Sequence, residues 1–122
     1  ARVYNNLGSV YHRKDDLARA MDEFKRAIEL KPNFADAHYN LGVAYKDIWR
    51  MDDAISEFEA AVTYQPAKAN AHNNLGLAYK YLGRYDEAVA EFEAALSINP
   101  GLEDAYDNLR YLESRRGAGP PP

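Results

Sequence analysis

No cysteine occurs among the 122 residues, so neither a disulfide framework nor a thiol nucleophile is available. That fits a reducing compartment, and a cytoplasmic location is the expectation. No apolar run nears the roughly 18 residues that a membrane span needs. The opening "ARVYNNLG" has no signal-peptide core, and it lacks an initiator Met, as a piece of a longer chain would. Charge of one sign is also scarce. The net charge of −4 is mild and does not suit a general nucleic-acid binder. Neither nucleic acid nor membrane is therefore expected as a partner. No nucleophile–base–orienter set, phosphate loop or metal-ligand cluster is visible. The chain is expected to be no enzyme and to carry no cofactor or metal. The adjacent acids Asp52–Asp53 and Asp86–Glu87 suit helix starts better than acid/base catalysis.

What the chain does have is a period. Gly8, Gly42 and Gly76 stand 34 residues apart, each preceded by Leu (Leu7, Leu41, Leu75). The same interval relates Tyr11, Tyr45 and Tyr79; Ala20, Ala54 and Ala88; and Phe24, Phe58 and Phe92. It also relates Ala27, Ala61 and Ala95, and Pro32, Pro66 and Pro100. Numbered within each unit, positions 4, 7, 8 and 11 share one helical face, and 20, 24 and 27 share a second. Each unit thus reads as two helices, broken at its end by a proline that cannot continue a helix. Glycine in a helix costs about 1 kcal/mol, so its recurrence predicts a close approach, here to the alanine at position 20. The Phe column is expected to fill the space between one hairpin and the next. Asp residues in the turns "RKDDL", "IWRMDD" and "LGRYDE" are expected to cap the second helices.

This L-G-x2-Y, A-x3-F-x2-A, Pro pattern at a 34-residue period resembles the tetratricopeptide repeat family. The resemblance implies an all-α, right-handed solenoid of antiparallel helix pairs. A single helical hairpin leaves its apolar stripe exposed, so such units stack. The expected organisation is repeats at 1–34, 35–68 and 69–102, a capping helix over 103–116 and an extended, polyproline-like tail over 117–122. That makes seven helices. Arg110 stands where the position-8 glycine would be, which suits a last helix with no further partner.

One polar column accompanies the apolar ones. Asn6, Asn40, Asn74 and Asn108 all occupy position 6. In the family, first helices line the concave surface, and positions 2, 5, 6, 9, 12 and 13 tend to face it. A carboxamide offers two donors and an acceptor, so a column of them can hold an extended peptide by its main chain. The column is similar to the asparagine ladder in the repeat domain of O-linked N-acetylglucosamine transferase. An alternative is that these amides bond neighbouring backbone and steady the stack. Position 5 (Asn5, Tyr39, Asn73) varies as a groove residue would, Val43 and Leu77 at position 9 add an apolar strip, and Lys46 and Lys80 at position 12 suit carboxylates. The family's chaperone-binding clamp wants Lys at position 5 and Asn at 9 of the first unit. It also wants Asn at 6 of the second, and Lys at 2 with Arg or Lys at 6 of the third. Asn5, Ser9, Asn40, Asn70 and Asn74 stand there, so Asn40 alone matches and the clamp is rejected.

His38 and His72 share position 4, but one repeat separates equivalent side chains by roughly 10 Å, too far for one metal. They are read as packing residues and His12 as an edge residue. Trp49, the single tryptophan, falls in a turn. Residues 1–34 carry a net +2 and 35–68 a net −3, an asymmetry that reads as a solvated surface. The function expected is a protein–protein interaction scaffold taking an extended peptide in the concave groove. The alternatives are a self-assembly module, as a homo-oligomer, and the substrate-recruiting part of a larger enzyme.

Overall fold

A computed structural model describes residues 1–117, the side chains to Arg115. The tail expected over 117–122 lies outside these residues, except that Gly117 ends the last helix. Seven α-helices follow in order among the described residues: α1 (Arg2–Arg13), α2 (Leu17–Leu30), α3 (Ala35–Asp47), α4 (Met51–Tyr64), α5 (Ala69–Tyr81), α6 (Tyr85–Ile98) and α7 (Glu103–Gly117). The chain divides into two compact units, Ala1–Pro66 and Ala67–Pro122. In the first, α1 pairs with α2 and α3 with α4, and α2 packs on α3. In the second, α5 pairs with α6, and α7 packs on α6.

Each pair closes on a glycine. A methyl at Gly8 would stand 2.5 Å from Cε1 of Phe24, at Gly42 2.7 Å from that of Phe58, and at Gly76 2.7 Å from that of Phe92. The obstacle is therefore chiefly the ring at position 24, not the alanine at position 20, whose carbonyl oxygen at Ala20 lies 3.1 Å from the Gly8 site. Each Phe presses on the glycine of its own hairpin, and Phe24 also meets Leu41 of the next hairpin, as expected of the column. Phe24, Phe58 and Phe92 are all essentially fully buried. Burying each ring stabilises its pair by about 1.5–3 kcal/mol. In the first unit Ala20, Phe24 and Leu41 form a buried cluster, with Tyr11, Met21, Ile28 and Tyr45 packed against it.

The tight turns share one geometry that composition conceals. Position 15 adopts positive φ in every repeat: Asp15 at 61°, Trp49 at 62° and Gly83 at 77°. The next amide reaches back five residues, from Asp16 to the Tyr11 carbonyl, Arg50 to Tyr45 and Arg84 to Tyr79, each at 2.9 Å. The position-15 amides meanwhile bond the carbonyls of His12, Lys46 and Lys80 at 3.1, 3.0 and 3.0 Å. This paired closure satisfies the last carbonyls of the first helix and requires a left-handed residue. Asn, Asp and Gly tolerate that backbone; tryptophan does so at a cost.

Capping is less uniform than the Asp-rich turns implied. Asp16 caps α2, accepting from the Arg19 amide at 3.3 Å. Arg50 and Arg84 stand at the N-caps of α4 and α6 and make no side-chain cap bond. They pair instead with acids one turn on: Arg50 with Asp53 at 2.6 Å, and Arg84 with both oxygens of Glu87 at 2.8 and 2.6 Å. The bonds from Arg84 hold the Glu87 carboxyl below its ordinary range. The helices themselves stop at Leu30, Tyr64 and Ile98, two residues before each proline.

Candidate functional site

Positions 5, 6, 9 and 12 of the first helices carry the candidate residues, and the structure treats them unequally. Asn6 is exposed, while Asn40, Asn74 and Asn108 are half-buried. Tyr39, Val43, Leu77, Lys46 and Lys80 are also half-buried, the exposure a contact surface has. The Tyr39 ring lies tilted against Phe58 with centroids 5.9 Å apart, so the core orients it.

Asn5 and Asn73 depart from expectation. Each is only 7% exposed, so neither offers an open carboxamide to a ligand. In the first unit the reason is visible: Asn5 Oδ1 accepts from Asn40 Nδ2 at 2.9 Å, tying α1 to α3. Position 5 of one first helix thus serves position 6 of the next. Among the described residues, the second N–H of Asn40 and its Oδ1 have no protein partner. Asn40 is accordingly half tie and half open site. A second tie, His12 Nε2 to Asp47 Oδ2 at 2.8 Å, links the other ends of α1 and α3.

The second unit repeats the residues but not the bond. Asn73 Oδ1 is buried with no partner among the described residues. Asn108 Oδ1 accepts from Lys80 Nζ at 3.5 Å. Lys80 Nζ also lies 5.7 Å from the Tyr81 ring centroid and 5.2 Å from that of Tyr111. Tyr111 and Arg115, whose guanidinium carbon is 5.8 Å from the same ring, were not among the sequence candidates. Tyr111 was legible as the position-9 residue after Val43 and Leu77, and Arg115 was not.

The position-4 histidines are tied into the scaffold. His38 Nδ1 meets Glu57 Oε2 at 2.8 Å and its Nε2 meets the Pro32 carbonyl at 2.7 Å, bridging α3, α4 and the preceding turn. His72 Nδ1 meets Glu91 Oε2 at 2.8 Å in the same way. Among the described residues no group of three or more His, Asp or Glu side chains is placed to hold a metal ion. No described helix is long and apolar enough to cross a membrane.

The glycine-closed helix pairs recur along the chain, and three family models match them. Residues 8–48 match a TPR repeat model, and residues 35–68 and 69–102 each match a tetratricopeptide repeat model. The chain belongs to the tetratricopeptide repeat family. Its fold is the all-α solenoid class of that family, built of antiparallel helix pairs.

Several relatives place this tetratricopeptide chain further. A stretch of 46 residues is 44% identical to the tetratricopeptide repeat domain-containing protein PYG7, chloroplastic, of Arabidopsis thaliana, covering 38% of this chain and 15% of that protein. The chain therefore spans a small part of the length of that relative. Among solved structures, MamA superposes with a TM-score of 0.91 at 28% identity over 95% of this chain and 68% of MamA. The first TPR of Spaghetti (RPAP3), bound to the HSP90 peptide SRMEEVD, superposes with the same TM-score, 0.91, at 22% identity over 94% and 91%. YrrB, a TPR protein with an unusual peptide-binding site, gives 0.82 at 26% identity over 89% of this chain and 56% of YrrB. The matched families are named for a repeat and none for a reaction.

Proposed function

We propose that this tetratricopeptide chain is a protein–protein interaction scaffold that takes an extended peptide in the concave groove of its first helices. The observation that carries the reading is Asn40. Its tie to Asn5 fixes the carboxamide, and the remaining N–H and oxygen form a donor–acceptor pair of the kind one peptide unit needs. A side chain already immobilised loses little further entropy on binding. Asn74 takes the same position in the second unit, with Asn6 and Asn108 flanking. Tyr39, Val43, Leu77, Lys46 and Lys80 supply selectivity. The peptide-bound and peptide-binding relatives support the general mode and leave the sequence of the ligand to this chain's own side chains. The absent clamp cations set the preferred ligand apart from the chaperone termini.

Replacing Asn40 and Asn74 together by Ala weakens a groove-bound peptide by about 0.5–1.5 kcal/mol per lost bond. Titration calorimetry against peptides selected from an array measures it. Unchanged affinity in a variant of unchanged helicity refutes the groove role.

Self-assembly is favoured by a separate observation. Val3 is 74% and Leu7 38% exposed, whereas their counterparts Ala37 and Leu41 are buried. A helix laid on α1 as α2 lies on α3 would cover both. Sedimentation across a hundredfold concentration range tests this, and an invariant monomer mass rules it out.

A further inference from the structure

A first-helix carboxamide oxygen in the second unit has no hydrogen-bond partner among the described residues. Asn73 Oδ1 is buried and unpartnered, although its counterpart Asn5 accepts from Asn40 Nδ2 at 2.9 Å. Buried polar atoms are nearly always satisfied, so this vacancy calls for a cause. The residue that the 34-residue period sets against Asn73 is Asn108. Its carboxamide is engaged elsewhere, its Oδ1 accepting from Lys80 Nζ at 3.5 Å, the far end of hydrogen-bond range.

Lys80 makes only loose contacts of its own. Beyond that long bond, its ammonium sits 5.7 and 5.2 Å from the Tyr81 and Tyr111 ring centroids. Arg115 lies 5.8 Å from the Tyr111 ring, which is half exposed. Among the described residues neither cation has a carboxylate within ion-pair distance. Arg50 and Arg84, by contrast, each pair with an acid one turn on. Lys80 and Arg115 each lie beside the exposed Tyr111 ring without an acid partner, and Lys80 also holds Asn108, so the two cations are suited to an anion.

We propose, building on the groove reading, that Lys80, with Arg115 and Tyr111, forms a subsite for a carboxylate carried by an extended acidic peptide. Its binding draws Lys80 off Asn108 Oδ1, and the Asn108 carboxamide turns its Nδ2 toward Asn73 Oδ1. The carboxylate gives Lys80 an ion-paired bond in place of a long one to an uncharged amide oxygen. The freed Asn108 amide then completes in the second unit the tie that Asn40 already makes in the first. Ligand binding and stiffening of the α5–α7 contact are thereby one event. Selectivity follows from charge complementarity: an uncharged peptide gains neither the ion pair nor the released tie.

The test uses the full 122-residue chain and fluorescein-labelled Ser/Ala/Leu decapeptides, read by anisotropy. One carries a central Glu, one a central Gln, both with amidated ends, and a third carries Gln with a free C-terminal carboxylate. The Glu peptide binds about tenfold more tightly than the Gln peptide, an advantage erased in Lys80→Gln, reduced in Arg115→Gln and lost at high salt. A gain by the third peptide in place of the first assigns the carboxylate to a chain terminus. Side-chain amide signals of Asn73 and Asn108 in nitrogen–proton spectra shift with the carboxylate peptide and not with its Gln twin. Equal binding of all three, with Asn40/Asn74→Ala still weakening each, overturns the subsite and leaves the groove standing. Absence of binding by any decapeptide overturns both. A Glu preference without movement of the Asn73 signal overturns the released tie.

Discussion

The two compact units are built from the same columns of residues yet finish their amide ladders differently. In the first, Asn40 donates to Asn5 and the buried acceptor is filled. In the second, Asn108 is turned to Lys80 and the acceptor of Asn73 is empty. The hairpins beneath are alike: a methyl added at Gly8 or Gly76 would stand 2.5 Å from the Phe24 ring or 2.7 Å from the Phe92 ring. The hydrophobic interior is thus repeated faithfully, while the polar surface of the first helices varies. Packing tolerates little change in volume, whereas a polar side chain can exchange one partner for another at small cost. Function has room to differ only where that second condition holds.

The largest effect tests the shared part. Phe24→Ala and Phe92→Ala each cost about 3–5 kcal/mol, read from urea unfolding, because each ring is buried against a glycine that cannot fill the void. A large inequality between them would show that the hairpins are not energetically equivalent. The sharpest contrast comes next. Asn5→Leu strands the bonded Asn40 donor and costs about 1–3 kcal/mol, while Asn73→Leu removes an unpaired acceptor and is neutral or stabilising. If both lose the same stability, the ladders of the two units do not differ in solution. A smaller change concerns the turns. Trp49→Gly relieves a left-handed backbone and raises stability by about 1 kcal/mol, whereas Gly83→Ala lowers it comparably.

The smallest effect is electrostatic. Arg84→Ala returns the Glu87 carboxyl upward toward 4.5, seen by NMR titration of that side chain. A carboxyl depressed in the fold stabilises above its unfolded value, and that contribution fades as pH falls through the lower folded value. The first unit's Arg50–Asp53 pair provides the control, since Arg84→Ala leaves it intact.

Much of this was readable beforehand. Gly8, Gly42 and Gly76, with their Phe and Pro partners at 34-residue spacing, announced helix pairs, because only a helical hairpin makes such a constellation useful. The ends of helices at the prolines followed for the same reason. The left-handed turn escaped notice because Asp15, Trp49 and Gly83 share no chemistry. They share a backbone angle dictated by two hydrogen bonds, which leaves its mark in composition only at Gly83. The burial of Asn5 and Asn73 was equally hidden, since an asparagine in a column looks the same whether it meets solvent or a neighbouring amide.

Periodicity, then, was enough to settle which residues are equivalent, and with that the helices, their pairing and the family. It was silent on where each carboxamide points and whom it bonds. Equivalence is a property of position along the chain, but a hydrogen bond depends on a partner brought within about 3 Å by folding. Asn40 and Asn108 occupy one column and met different partners, and that divergence came from the folded neighbourhood alone.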